Sequence, residues 1–191
     1  MDHLINKLST ACCVMRSVKL CVNTNALIMI DHCLFHAVVT YGIIFWGNSS
    51  HSIQVFRMQK KAIRIIMGCG NRESCRNLFK ELKLLPLMSQ YILSLLTFVS
   101  NNKEQYFTNS EIHNINTRHT SNLHLPRAHL NSYQKGVYYS GIKIFSSVPL
   151  DIKIYTDNPR TFKKAVKKFL YTKSFYSLNE YYDNNNIRIN L

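Results

Sequence analysis

The 191 residues carry 24 Lys and Arg against 10 Asp and Glu, a net charge of +14, and 46% of them are hydrophobic. That apolar share excludes a disordered tail and is enough for one ordinary domain or two small helical ones. The charge points to nucleic acid or an anionic membrane surface and away from acidic small substrates.

The six cysteines (Cys12, Cys13, Cys21, Cys33, Cys69 and Cys75) are one adjacent pair and scattered singles. That spacing makes no disulfide ladder, and Met1-Asp2 leads into an amphipathic stretch rather than a basic start and an apolar run. The expected setting is a reducing, intracellular one, cytoplasm or nucleus.

In chain order, His3 to Leu20 places Leu4, Ile5, Leu8, Ala11, Cys12 and Met15 at helical spacing, with Lys7 and Arg16 elsewhere on the wheel. Asn23-Thr24-Asn25 supplies a turn and an N-cap. A long apolar helix is then expected to about Trp46, ended by Gly47-Asn48-Ser49-Ser50. Its stretch Ala26 to Trp46 has the length of a membrane span, but it contains Asp31, His32 and His36. An Asp in mid-span costs on the order of 3 kcal/mol on insertion scales. Basic residues flank both sides (Arg16, Lys19; Arg57, Lys60, Lys61), so no orientation is favoured, and a buried helix with no membrane partner is expected.

The third helix, about Ile53 to Met67, sets Arg57, Lys60, Lys61 and Arg64 on one stripe, opposite Val55, Phe56, Ala62, Ile63 and Ile66. Gly68-Cys69-Gly70-Asn71 breaks it. A short helix with Cys75, Leu78, Phe79 and Leu82 on one face follows, and Pro86 opens another to about Val99. Residues 101–122 are polar and read as a loop or extended linker, and Leu123-His124-Leu125-Pro126 as extended chain. A helix is expected over Gly136 to Ser146, stopping near Val148-Pro149. The last helix starts at Asn158-Pro159, with Phe162, Val166, Phe169 and Leu170 on one face and Arg160, Lys163, Lys164, Lys167 and Lys168 on the other. Tyr181 and Tyr182, with Asp183 to Asn186, read as a frayed end. The fold class is mainly α, with residues 1–100 as a helical bundle, 101–135 as a polar linker with extended segments and 136–191 as a smaller helical unit.

The two basic stripes are the strongest chemical signal. Cations at i, i+3, i+4 and i+7 suit a row of phosphates, whereas the bland alternative is a solvated face. Acidic partners usually accompany a solvated face, and residues 57–64 and 160–168 contain none. The candidate nucleic-acid-binding residues are therefore Arg57, Lys60, Lys61, Arg64, Arg160, Lys163, Lys164, Lys167 and Lys168.

Catalytic signals are weak by comparison. His113, His119, His124 and His129 recur every five or six residues without the close ligand pairs of a structural zinc site, so no metal is expected. No two carboxylates are paired for two-metal phosphoryl transfer, and no glycine-rich phosphate loop or nucleophile elbow is present. Cys69 or Cys75 with a histidine is a pairing that any chain so rich in both would permit. Tyr181-Tyr182-Asp183-Asn184 has the outline of a polymerase Y-x-D-D loop but lacks its second aspartate. The expectation is a chain with no catalytic residues and no cofactor.

Several stretches, in one order over about residues 2 to 182, resemble the C-terminal region of non-LTR (LINE-type, jockey-like) retrotransposon reverse transcriptases. His3-Leu4-Ile5-Asn6-Lys7-Leu8-Ser9-Thr10-Ala11-Cys12 resembles the helix after the primer-grip strands. Tyr41-Gly42-Ile43-Ile44-Phe45-Trp46-Gly47 resembles a signature of the next helix, and Gln59-Lys60-Lys61-Ala62-Ile63-Arg64-Ile65-Ile66 the basic helix after it. Ser74-Cys75-Arg76-Asn77-Leu78-Phe79-Lys80 and Leu84-Leu85-Pro86-Leu87 follow. The later half adds His113, Asn114, Thr117, Arg118, Leu123-His124-Leu125-Pro126, Gly141-Ile142-Lys143-Ile144-Phe145 and Val148-Pro149.

The resemblance implies a thumb-like bundle and the segment downstream of it, from a truncated element or a fragmentary gene product. In such enzymes the polymerase aspartates lie in fingers and palm, N-terminal to every motif matched here. The implied role is sequence-tolerant grip on an RNA or RNA/DNA template–primer backbone, beside the palm domain of the parent RNA-directed DNA polymerase. The cysteine pairs of the C-terminal zinc knuckle in some relatives are missing, so no metal role carries over. An inert transposon relic without a working partner and a basic membrane protein anchored by residues 26–46 are the alternatives. Polymerisation by the chain itself is not expected without paired carboxylates.

Overall fold

Apolar residues three and four positions apart make this chain mainly helical, as expected from its sequence. A computed structural model describes residues 2–113 and 122–184. Of the positions singled out above, Asn114, Thr117, Arg118, His119, Asn185 and Asn186 lie outside the described residues. The only pairing of extended chain among the described residues is an isolated antiparallel bridge between Thr108 and Leu123.

Helix α1 (Asp2–Val18) buries Leu8, Ala11, Cys12 and Met15 on one face. The Oδ1 of Asn23 then accepts the Ala26 N–H at 2.9 Å and starts α2 (Thr24–Ile30). The single long helix expected from here to Trp46 is interrupted. A π-helical turn (Asp31–His36) runs into α3 (Ala37–Thr40), and Tyr41 and Gly42 leave the helix before α4 (Ile43–Trp46). Gly42 has φ 61°, a left-handed conformation that glycine adopts without a Cβ penalty. Apolar side chains stand at exposed positions (Met29, Leu34, Tyr41) as well as buried ones (Phe35, Val39), so the run has no clear period to betray either irregularity.

Helix α5 (Ser52–Met67) buries Val55, Gln59, Ala62, Ile63 and Ile66 and packs against α1. It is followed by α6 (Arg76–Glu81) and α7 (Leu87–Asn101). Ile63, Cys75, Leu78, Phe79 and Leu84 form one buried cluster, closed by Phe56, Met67, Cys69, Leu82 and Tyr176.

The described part of the polar stretch after α7 carries more regular structure than expected of a linker. It contains a 3-10 turn (Lys103–Gln105) and α8 (Asn109–His113). Glu111 accepts the Thr108 N–H at 2.6 Å and the Thr108 hydroxyl at 2.8 Å, so its carboxylate reaches back to hold the start of α8. Those bonds hold the Glu111 carboxyl below the usual carboxylate range. Residues 124–130 carry no regular structure, in line with the extended reading.

Next come α9 (Asn131–Gln134), α10 (Val137–Ser146), α11 (Leu150–Lys153), α12 (Pro159–Lys173) and α13 (Leu178–Asn184). Asn158 Oδ1 accepts the Arg160 and Thr161 N–H groups, both at 3.2 Å, so the cap expected from Asn158-Pro159 forms. The expectation of a frayed end fails at Tyr181. Its ring is buried in α13, and its hydroxyl donates to the Ile144 carbonyl at 3.1 Å.

The expected segments 1–100, 101–135 and 136–191 follow composition. By contacts, one compact unit runs to Tyr91 and takes back Leu170–Tyr176, and the other comprises Ile92–Phe169 and resumes at Ser177. In the first unit, Gly47 lies so close to Tyr91 that a Cβ would come within 2.5 Å of the ring. In the second, Val99, Tyr106 and Ile142 form a buried cluster in which the Tyr106 and Tyr138 rings stack at 4.9 Å. No helix among the described residues is long and apolar enough to cross a membrane.

Candidate nucleic-acid interface

Successive residues of a helix point about 100° apart, so the stripe on α5 has two edges, with Lys60 on one and Lys61 on the other. The structure separates them. Lys60 lies over the Phe56 ring, its Nζ 4.8 Å from the centroid, while the Cys75 thiol donates to the Lys60 carbonyl at 3.6 Å. Lys61 and Arg64 instead line an open cleft of about 250 Å³ together with Arg16, Lys19, Ile65, Gly68, Cys69 and Asn71. Arg57, a further turn towards the N-terminus, is exposed and outside the cleft lining.

The cleft exists because α5 ends sharply. Gly68 takes φ 74°, its N–H donates to the Ile65 carbonyl at 3.3 Å, and the Cys69 N–H donates to the Arg64 carbonyl at 3.0 Å. This is a Schellman-type end that satisfies the last carbonyls and turns the chain aside. The absent side chain matters too, since a Cβ on Gly68 would lie 3.1 Å from the Lys19 Nζ. The ammonium therefore sits directly over the glycine, where the negative end of the α5 dipole favours it.

Arg64 is steadied from the other side. Its Nε and Nη2 both donate to the Glu73 carbonyl, at 3.0 and 2.7 Å, leaving other donors of the fork uncommitted to that bond. The lining contains four cationic side chains and no carboxylate. Burial pushes the Cys69 thiol up, and the Glu73 carboxylate, bonded to that thiol beside the cleft, adds to the rise. Burial also pushes the Cys12 thiol up, against the opposing pull of Lys61 and Arg16. The charges of α1 and α5 thus converge on the same region.

Arg16 and Lys19 were not among the residues expected from the sequence. The available signal was weak: Arg16 stands outside the buried face of α1, Lys19 lies in the turn after it, and neither belongs to a longer cationic row. Only the packing of α1 on α5 brings them beside Lys61 and Arg64.

The second stripe is simpler. Phe162, Val166 and Leu170 are buried along α12, and Arg160, Lys163, Lys164, Lys167 and Lys168 are all exposed on the rest of its surface. Phe169, expected on the buried face, is half-buried. The five cations lie along one exposed face of that helix.

In the histidine series, the His113 and His124 rings lie 5.1 Å apart, His124 Nδ1 is 3.3 Å from Asn109 Oδ1, and His129 is exposed. Among the described residues, no three His, Cys, Asp or Glu side chains are grouped to hold a metal ion. Compared with protein families, with curated proteins and with solved structures, the chain finds no match.

Proposed function

We propose that this chain is the non-catalytic C-terminal region of a non-LTR retrotransposon reverse transcriptase, and that it holds nucleic acid through backbone phosphates. Two independent supports stand behind the reading. One is the ordered series of motifs resembling that family. The other, which carries the binding role, is the convergence of Arg16, Lys19, Lys61 and Arg64 on a cleft without a lining carboxylate.

Phosphate contact by Lys and Arg releases condensed counterions, and the resulting affinity depends on salt more than on sequence. Arg64 adds a planar fork fixed in place, the geometry suited to phosphate oxygens. The exposed row on α12 would add diffuse attraction of the same kind. The partners in this reading are an RNA or RNA/DNA template–primer and the palm domain of the parent polymerase, in the cytoplasm or nucleus.

The test is fluorescence anisotropy with two RNA/DNA duplexes of unrelated sequence, titrated at several salt concentrations. Matching affinities that fall steeply with salt support the proposal. A strong preference for one sequence, or no binding at low salt, contradicts it.

A further inference from the structure

The same four cations raise a narrower question, which rests on the nucleic-acid reading: what kind of phosphate suits the cleft. We propose that the cleft between α1 and α5 is a pocket for a phosphate group bearing two or more charges. Such a group is found as the terminal phosphomonoester of a strand or as free pyrophosphate. The singly charged phosphodiester of a strand interior is the poorer ligand.

Three observations lead there. The charge is concentrated rather than strung out, since Arg16 comes from α1, Lys19 from the turn after it, and Lys61 and Arg64 from α5, around one space. A single phosphodiester would offset only one of those four charges, whereas a terminal phosphate carries up to about two and presents three acceptor oxygens. The cavity, about 250 Å³, falls just short of the roughly 300–1,000 Å³ of pockets that enclose a drug-sized ligand. It is open to solvent and has room for a phosphate group or a pyrophosphate.

The site is also built rather than incidental. Gly68 leaves room for the Lys19 ammonium, which a Cβ would crowd at 3.1 Å, and Arg64 is held by two bonds to the Glu73 carbonyl. On α12 the five cations stand exposed along one helix, which fits a row of phosphodiesters and not a single concentrated charge.

The experiment uses the full chain and a 3′-labelled single strand of about 12 nucleotides, carrying either a 5′-phosphate or a 5′-hydroxyl. The phosphorylated strand should bind about five- to tenfold more tightly. Arg16→Gln with Lys19→Gln should abolish that preference, leaving both strands at one shared affinity below that of the wild type. Lys163→Gln with Lys164→Gln should preserve it. A preference that survives Arg16→Gln/Lys19→Gln overturns the proposal and leaves general phosphate binding intact, and equal affinity for the two strands overturns it for strand ends.

Calorimetry with pyrophosphate alone tests the pocket even if neither strand binds, an outcome that would sink the nucleic-acid reading instead. Heat that disappears in Arg16→Gln/Lys19→Gln supports the pocket, and no heat with wild-type protein counts against it. Pyrophosphate binding without any preference for the phosphorylated strand would assign the pocket to free phosphate compounds. Both together assign it to strand ends as well.

Discussion

The side-chain oxygen of Gln59 accepts the backbone N–H of Leu87 at 2.8 Å. From the other side of the same amide, Nε2 donates to the Leu85 carbonyl at 2.9 Å. A buried glutamine of α5 thus clasps the chain on both sides of Pro86, where α7 begins. Each buried backbone group left without a partner costs about 1–3 kcal/mol. Gln59→Leu should therefore lower stability by about 2–4 kcal/mol despite its greater hydrophobicity. In urea denaturation the midpoint should fall with little change in slope. An unchanged midpoint would show that the clasp contributes nothing.

Asp31 provides a pH prediction. Its carboxyl is buried at the start of the π-helical turn, and desolvation raises its pKa from 3.8 to about 7. Below about pH 4 the group is protonated in both folded and unfolded chains, so it makes no difference to stability. Between about pH 4 and 7 the unfolded chain loses the proton first, so stability falls as pH rises, and above about pH 7 the full cost is present. Its ceiling is about 4 kcal/mol. Asp31→Asn should stabilise the protein at about pH 8, with the gain shrinking towards pH 4. Urea melts of both proteins at several pH values measure this. A constant difference across that range would contradict it.

Tyr181 separates an ordered end from a frayed one. Tyr181→Phe removes the hydroxyl that donates to Ile144 and should cost about 1 kcal/mol. Tyr181→Ala also empties a buried ring site and should cost about 3–5 kcal/mol. If thermal unfolding of Tyr181→Ala matched wild type, α13 would not be packed as described.

What was legible in the sequence depended on which contacts carried the information. Helices α5 and α12 were readable because each has an apolar and a cationic face, and the Asn23 and Asn158 caps because their bonds reach only three residues ahead. The interruption at Asp31–Gly42 was hidden, since apolar residues at exposed as well as buried positions leave no clear period to disturb. Tyr181 was misread because polar neighbours surround it locally, and its partner Ile144 is distant in sequence. The cleft was half legible for the same reason. Lys61 and Arg64 stood out on α5, but Arg16 and Lys19 gain meaning only through the packing of α1. Lys60, beside Lys61 in sequence, is turned onto Phe56 instead.

That last contrast gives the most direct test of the binding role. The slope of log K against log salt should be measured with an RNA/DNA duplex for wild type, Lys61→Gln/Arg64→Gln and Lys60→Gln. Each lost phosphate contact changes the slope by about 0.9 for a B-form duplex and about 0.7 for a single strand. The account predicts a slope shallower by about 1.5 for Lys61→Gln/Arg64→Gln and nearly unchanged for Lys60→Gln. Wild-type slopes in all three proteins would contradict it.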